Sequence, residues 1–241
     1  TAIGIITNVT DVELTLADVT GVFVVGEKIL ALPWYTNYIG ETWGKPAIVR
    51  MKYDKGTGVV DKWVAILTGG FSEDSTDEGK ALFIVDAWNG DLIWWLGYTS
   101  GSDDITVDHY IKNSNDLNYP IAQCLTAVDI DNNTFTDTLY FGNIGGNMFK
   151  IDISNPLTTT WIPEVLLAQN DITQPFFESP SISYDQYYNL WVHCGTGNRN
   201  SPQSGPEGKF IAIKDDGTIP AGGCVFDTDL EQLTVTSNGD G

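Results

Sequence analysis

Three times along the chain the same succession of short segments returns, and that recurrence limits the fold more than any single motif does. Lys45-Pro-Ala-Ile-Val, Tyr119-Pro-Ile-Ala-Gln and Ser179-Pro-Ser-Ile-Ser open alike. Each leads to an apolar run closing on glycine: Trp63-Val-Ala-Ile-Leu-Thr-Gly-Gly70, Leu139-Tyr-Phe-Gly142 and Leu190-Trp-Val-His-Cys-Gly195. A third run follows, ending at Asp86, Asp152 and Asp215, which are 66 and 63 residues apart. A fourth is clearest as Leu92-Ile-Trp-Trp-Leu and Trp161-Ile-Pro-Glu-Val-Leu-Leu. Short runs rich in β-branched and aromatic residues, bounded by Gly, Pro and Asn, read as strands. A four-stranded unit repeated in series is the pattern of a β-propeller blade, with glycines where backbones crowd. The expected fold is therefore all-β: a partial β-propeller of about three four-stranded antiparallel blades over residues 39–241. Strands near 45–53, 62–69, 80–87 and 92–97 form one of them. Natural rings have about four to eight blades, so further blades lie outside this sequence or another chain completes the circle. Residues 1–38, with Ile3-Gly-Ile-Ile, Val12-Glu-Leu-Thr-Leu and Val22-Phe-Val-Val, read as a small β module or insertion without a chemical motif.

Within the second unit, Asp129-Ile-Asp131-Asn-Asn133-Thr-Phe135-Thr-Asp137 joins two strands. Oxygen-bearing side chains stand at positions 1, 3, 5 and 9 of this nine-residue loop, and position 7, Phe135, offers its backbone carbonyl. Flexible, all-oxygen coordination suits Ca²⁺, which takes about six to eight oxygens. Asp129, Asp131 and Asp137 supply negative charge and Asn133 a neutral ligand; without a cation the carboxylates repel one another. The competing reading is a solvated acidic turn.

The chain of 241 residues carries 32 acidic and 12 basic residues, a net charge of −20. Such a surface repels phosphate backbones, and nucleic acid is excluded as a partner. No apolar run reaches the roughly 18–20 residues of a membrane helix. The chain opens with Thr and shows no signal peptide, which reads as a mature product or a fragment. Cys124, Cys194 and Cys224 form no CxxC; one disulfide, with Cys194–Cys224 the leading pair, plus one buried thiol is the reading they allow.

Other candidates carry less. His193 and Cys194 are neighbours on a strand and point to opposite faces, so they cannot act as a nucleophile pair. His109 lies in the polar 101–118 connection without matching zinc ligands. Gly195-Thr-Gly-Asn-Arg199 lacks the lysine and helix of a phosphate-binding loop. Asp103-Asp104 and the run from Ser72 to Glu78 read as solvated acidic loops. Trp43, Trp63, Trp88, Trp94, Trp95 and Trp191 fall within the repeats and are read as packing between blades, with sugar binding the alternative use. No GxSxG, HExxH or Ser/His/Asp pattern occurs, and no enzymatic activity is expected.

Several stretches, taken in order, resemble the C-terminal propeller of the PilC/PilY family of type IV pilus tip-associated proteins. They are Ile39-Gly-Glu-Thr-Trp-Gly-Lys-Pro46, Trp63 to Phe71, Ala81 to Trp94, Ala127 to Asp137, Leu139 to Phe149 and Gly195 to Arg199, together spanning about residues 39–217. The resemblance implies a secreted, extracellular, pilus-associated protein of the bacterial surface, active in pilus biogenesis and cell adhesion. Its partners would be pilin or minor pilin subunits, other parts of its own larger protein, and a host or surface ligand. The family's calcium loop falls on Asp129, Asp131, Asn133, Asp137 and the Phe135 carbonyl. Two departures stand out: Asn133 where the family has Asp, and Thr134 where it has Gly, at a turn that favours positive φ. Both point to weak calcium affinity. Ala81-Leu-Phe-Ile-Val-Asp-Ala-Trp-Asn-Gly-Asp-Leu-Ile-Trp94 also resembles the tryptophan-docking repeat of quinoprotein dehydrogenases that hold pyrroloquinoline quinone. Those enzymes carry it in most blades, and here one good copy exists. A carbohydrate-binding propeller module is the third reading.

Overall fold

The computed structural model describes residues 3–9, 14–20, 36–73, 77–123, 125–169, 172–203, 207–217 and 222–224. The chain divides into two units, Thr1–Thr36 and Asn37–Gly241. In the first, β1 (Ile3–Val9) pairs antiparallel with β2 (Leu14–Thr20). The expected strand at Val22 lies outside the described residues.

The described residues of the second unit form three sheets. Sheet I contains β3 (Ala47–Tyr53), β4 (Val60–Thr68), β5 (Ala81–Asp86) and β6 (Leu92–Tyr98) in antiparallel sequence. These are the strands the sequence places near 45–53, 62–69, 80–87 and 92–97. Two further strands extend the sheet: β7 (Asp104–Ile105) and β8 (His109–Lys112), with β8 parallel to β6. Sheet II holds β9 (Leu125–Val128), β10 (Thr138–Gly142), β11 (Met148–Asp152) and β12 (Pro163–Leu167) in meander order. Sheet III holds β13 (Ser181–Tyr184), β14 (Leu190–Gly195) and β15 (Phe210–Asp215), three strands among the described residues. No sheet among the described residues closes into a barrel, and helix is confined to three-residue turns. None of these is long and apolar enough to cross a membrane.

The sheets stack through their side chains. Along β10, Leu139, Tyr140 and Phe141 are all fully buried because successive residues face opposite sides, and both sides are covered. Leu139 and Phe141 join Phe149, Ile151 and Trp161 in one core with Met51, Val64, Leu82, Ile84 and Trp94 of sheet I. Tyr140 and Met148 join Leu190, Val192, Ile211 and Ile213 of sheet III in another. Burying each such large side chain contributes roughly 1.5–3 kcal/mol, which makes these two interfaces the main source of stability. Gly142 ends β10 where an added Cβ would stand 2.8 Å from the Phe176 side chain, so glycine sets the approach of the connection that follows.

Backbone bonds repeat as the sheets do. Ile121 donates to the Gly79 carbonyl of sheet I at 2.8 Å, and the Pro120 carbonyl accepts from Ile144 of sheet II at 3.0 Å. One unit later, Phe176 donates to the Asn143 carbonyl at 3.2 Å and the Pro175 carbonyl accepts from Gly197 at 3.0 Å. Pro120 is thus the counterpart of Pro175, a bridge between turns of successive sheets. Pro46 and Pro180 instead stand immediately before β3 and β13. The three proline openings that look alike in sequence therefore serve two different purposes.

The tryptophans divide too. Trp94, Trp95 and Trp161 are buried, as packing requires, but Trp63 and Trp88 are 60% and 97% exposed. For those two the expectation of packing is corrected. Cys194 is buried in the core between sheets II and III, where desolvation pushes its thiol up to about 12. No disulfide joins Cys194 to Cys224. Cys124 lies outside the described residues.

Candidate metal centre

Loop 129–137 connects β9 to β10, whose last pair is Val128 with Thr138. Nine residues cannot form a two-residue hairpin turn, and the loop is held by its own acidic side chains. Asp137, 7% exposed, accepts the Ile130 amide at 2.9 Å, the Asp131 amide at 3.3 Å and the Thr138 hydroxyl at 3.2 Å. Asp129 takes the Asn133 amide at 3.0 Å on one oxygen and the Thr134 amide at 2.7 Å on the other. Asp131 accepts the Asn133 backbone amide at 3.0 Å and its side-chain amide at 2.8 Å.

These bonds fold the loop inward until one oxygen of each of Asp129, Asp131 and Asp137 lies within 4.8 Å of the other two. No Lys, Arg or His among the described residues forms an ion pair with any of them. Two unit charges at that separation repel by about 1 kcal/mol in water and about 3.5 kcal/mol at an effective dielectric of 20. Donor chemistry therefore fits a hard divalent cation: oxygen only, anionic, and aimed by backbone amides. Of the five residues singled out in the sequence, the three carboxylates are brought together. The Asn133 side chain is spent on the turn, donating to Asp131 and accepting the Phe135 amide at 2.8 Å. The Phe135 ring turns toward sheet I, with Arg50 Cζ 4.5 Å and Lys52 Nζ 4.1 Å from its centre.

The backbone bends sharply at Asn132 (φ 59°) and Thr134 (φ 76°). Asparagine tolerates the left-handed region, whereas a β-branched residue there is strained. Position 6 of the loop thus needs the conformation glycine provides, and threonine occupies it.

The equivalent turns show what is particular to this loop. Asp54, after β3, accepts the Gly56, Thr57 and Gly58 amides at 2.7, 3.0 and 2.9 Å. Asp185, after β13, accepts the Tyr187 and Asn189 amides at 2.8 and 3.0 Å. Hydrogen bonds, first from the Asn189 side chain and then from these amides, hold its carboxyl down at about 2. Each unit begins its first turn with an aspartate that gathers amides, and only the second adds two more carboxylates. A Tyr-Asp pair, Tyr53-Asp54 and Tyr184-Asp185, is the signal for the other two turns.

The remaining candidates resolve as structure. His193 faces Ser183 (2.8 Å) and stacks on Phe210, opposite the buried Cys194. His109 Nε2 lies 3.0 Å from Asp104, and Asp103 accepts the Asn113 amide at 2.8 Å and pairs with Lys112. Asp103 and Asp104 are exposed, as the sequence reading has them, and they also brace β7 and β8. Arg199 ties the Gly195 loop to Glu178 at 3.2 Å.

No family model matches the chain, and no curated protein matches it. Among solved structures it is similar to the crystal structure of the Pseudomonas aeruginosa PilY1 C-terminal domain, with a TM-score of 0.53 and 16% identity. The match covers 89% of this chain and 44% of that one, so the chain spans less than half the length of the similar domain. The likeness is one of fold.

Proposed function

We propose that residues 37–217 are three consecutive blades of a β-propeller in a larger, type IV pilus-associated protein of the bacterial surface, and that loop 129–137 is its calcium site. Three observations support the ring. Successive sheets stack face to face, their turns are bridged at Pro120 and Pro175 in the same way, and the fold is similar to part of the PilY1 C-terminal domain. Ile48 on sheet I and Phe210 on sheet III, 56% and 77% exposed, face away from the stack, where flanking blades of the larger protein would pack. The convergence of Asp129, Asp131 and Asp137 within 4.8 Å carries the calcium reading.

Calcium supplies two positive charges at the one point where three carboxylates meet. The chain's own residues do the rest. Asp137 is anchored by the Ile130 and Asp131 amides, and the loop closes directly onto the Val128–Thr138 pair of β9 and β10. Binding is thereby linked to the pairing of those strands. The module is non-enzymatic and works through assembly. Its partners are the remaining parts of its own chain, pilin or minor pilin subunits, and a host or surface ligand.

Calorimetric titration of Ca²⁺ into chelator-stripped protein, with melting curves alongside, tests the site. One calcium per chain is expected, with Kd in the range of roughly 10⁻⁴–10⁻³ M of extracellular modules, and a weaker response to Mg²⁺, which holds its waters. A ligand binding only the folded state stabilises it by RT ln(1 + [L]/Kd), which for 1 mM calcium over that Kd range is about 0.4–1.4 kcal/mol. No heat and no melting shift in millimolar calcium would leave only an acidic turn.

A further inference from the structure

A cavity of about 430 Å³, within the size range of small-ligand sites, opens beside Arg50, Asp61, Lys62, Trp63, Asp86, Trp88 and Asn89. Trp88 stands on the β5–β6 turn, at the end of sheet I where the β3–β4 turn also lies. It is therefore not on a face that a neighbouring sheet would cover. At 97% exposure it makes almost no packing contribution, and Trp63, 60% exposed, lies beside the same cavity. A flanking blade over the Ile48 face, which Trp63 shares, would account for the exposure of Trp63, but the Trp88 indole, at the end of the sheet over a polar cavity, needs another reason.

We infer that this cavity binds a neutral saccharide. Indole faces take the apolar C–H face of a pyranose ring, while its hydroxyls need donors and acceptors at the rim. Both are present, and both are held in place. Arg50 is fixed in a fork on Asp61, at 2.9 and 2.5 Å. Lys62 pairs with Asp86, whose other oxygen accepts the Trp88 amide at 2.9 Å. The guanidinium and ammonium keep spare N–H groups beyond these pairs. The lining is charge-balanced, two cations against two carboxylates, so the site asks for no charge on its ligand. The net charge of −20 opposes an acidic one. This inference does not rest on the calcium reading, and its test is run in chelator as well as in calcium.

Saturation-transfer NMR and tryptophan fluorescence on the intact chain distinguish the alternatives, with maltotriose and N-acetylchitotriose as neutral probes. Sialyllactose serves as the acidic probe and a decaproline peptide as the non-sugar probe. At least one neutral trisaccharide is expected to bind with Kd of about 1 mM or tighter. Trp88→Ala and Trp63→Ala should each weaken it about tenfold. Trp43→Phe, at a ring stacked on Phe71 instead, should leave it unchanged. Trp88 is so exposed that its removal leaves the melting temperature unmoved, which separates lost binding from lost folding. The inference is overturned if neither neutral sugar binds, if both indole variants bind as well as the parent, or if sialyllactose or decaproline is preferred.

Discussion

The guanidinium of Arg50 lies 4.5 Å from the centre of the Phe135 ring, and the Arg50 carbonyl accepts the Thr136 amide at 2.8 Å. One residue of β3 thus holds the acidic loop of sheet II by both its side chain and its backbone. The cluster of carboxylates is attached to the neighbouring sheet as well as to its own hairpin.

Phe135→Ala removes the ring and leaves the backbone carbonyl that the sequence assigns to calcium. Loss of a cation–π contact and of partly buried ring surface should cost about 1 kcal/mol in urea denaturation. The calcium-dependent part of the melting shift should survive. Its disappearance would mean that the ring, not the carbonyl, positions the loop.

Tyr140 joins sheets II and III, its hydroxyl donating to Asp215 at 2.6 Å while Lys150 pairs with the same carboxylate oxygen at 2.8 Å. Burial first, and then the bond to Asp215, raise its pKa well above the usual 10. Burial likewise raises Tyr38, Tyr53 and Tyr110. A phenol whose folded pKa exceeds its unfolded value adds stability that is fully present below about pH 10 and is lost as pH climbs toward the folded pKa. Urea midpoints should therefore fall above pH 10, with some tyrosines ionising only on unfolding in ultraviolet titration. Tyr140→Phe, which leaves Asp215 with Lys150 alone, should cost roughly 1–3 kcal/mol at neutral pH. An unchanged midpoint would show that Lys150 suffices.

How far the sequence can be read follows from which physical signals are local. Strands β3 to β6 and β9 to β12 were legible because apolar runs and their closing glycines are local patterns. The convergence of Asp129, Asp131 and Asp137 was legible for the same reason, since all three lie in one loop. What the pairs Pro120-Ile121 and Pro175-Phe176 share is a bond to the turn on either side: the amide of the second residue donates to Gly79 or Asn143, and the proline carbonyl accepts from Ile144 or Gly197. Nothing in the residues flanking Pro120 distinguishes it from Pro46. Strands β7 and β8 escaped because two and four residues are too few to show a period, and their brace, Asp104 with His109, has an ordinary polar appearance. Trp63 and Trp94 are both aromatic strand residues; only the side on which another sheet lies makes one exposed and the other buried.

Thr134→Gly tests the strain in the loop. Left-handed backbone costs a residue with a Cβ roughly 1–2 kcal/mol, and glycine gives back about 0.4–1 kcal/mol through its freer unfolded state. A net gain in stability of up to about 1.6 kcal/mol is expected, together with tighter calcium binding, because the loop no longer closes against its own backbone preference. A loss of stability would show that the Thr134 side chain contributes a contact worth more than the strain.

The three carboxylates should not respond alike to removal, because their burial and bonds differ. Asp131 is exposed, and the bonds it accepts come from Asn133 alone. Asp131→Ala relieves repulsion of about 1 kcal/mol or more with each of its neighbours. In chelator it should therefore melt at or above the parent's temperature, while the rise produced by calcium should be lost. Asp137 is buried, and it anchors the Ile130 and Asp131 amides and the Thr138 hydroxyl. Asp137→Ala leaves those donors without their acceptor, so it should cost roughly 1–3 kcal/mol even without calcium and abolish the calcium response too. Asp129→Ala, losing the two amides it accepts, should fall between them. Asp103→Ala, at a carboxylate far from the loop in sequence and bonded to Asn113 and Lys112, is the control that keeps the full calcium shift. Calorimetric titrations paired with melting curves in chelator and in millimolar calcium separate the two effects for each variant. A calcium response retained in Asp131→Ala and Asp137→Ala alike would remove the metal from this loop and leave the aspartates as turn formers, as Asp54 and Asp185 are in the sheets on either side.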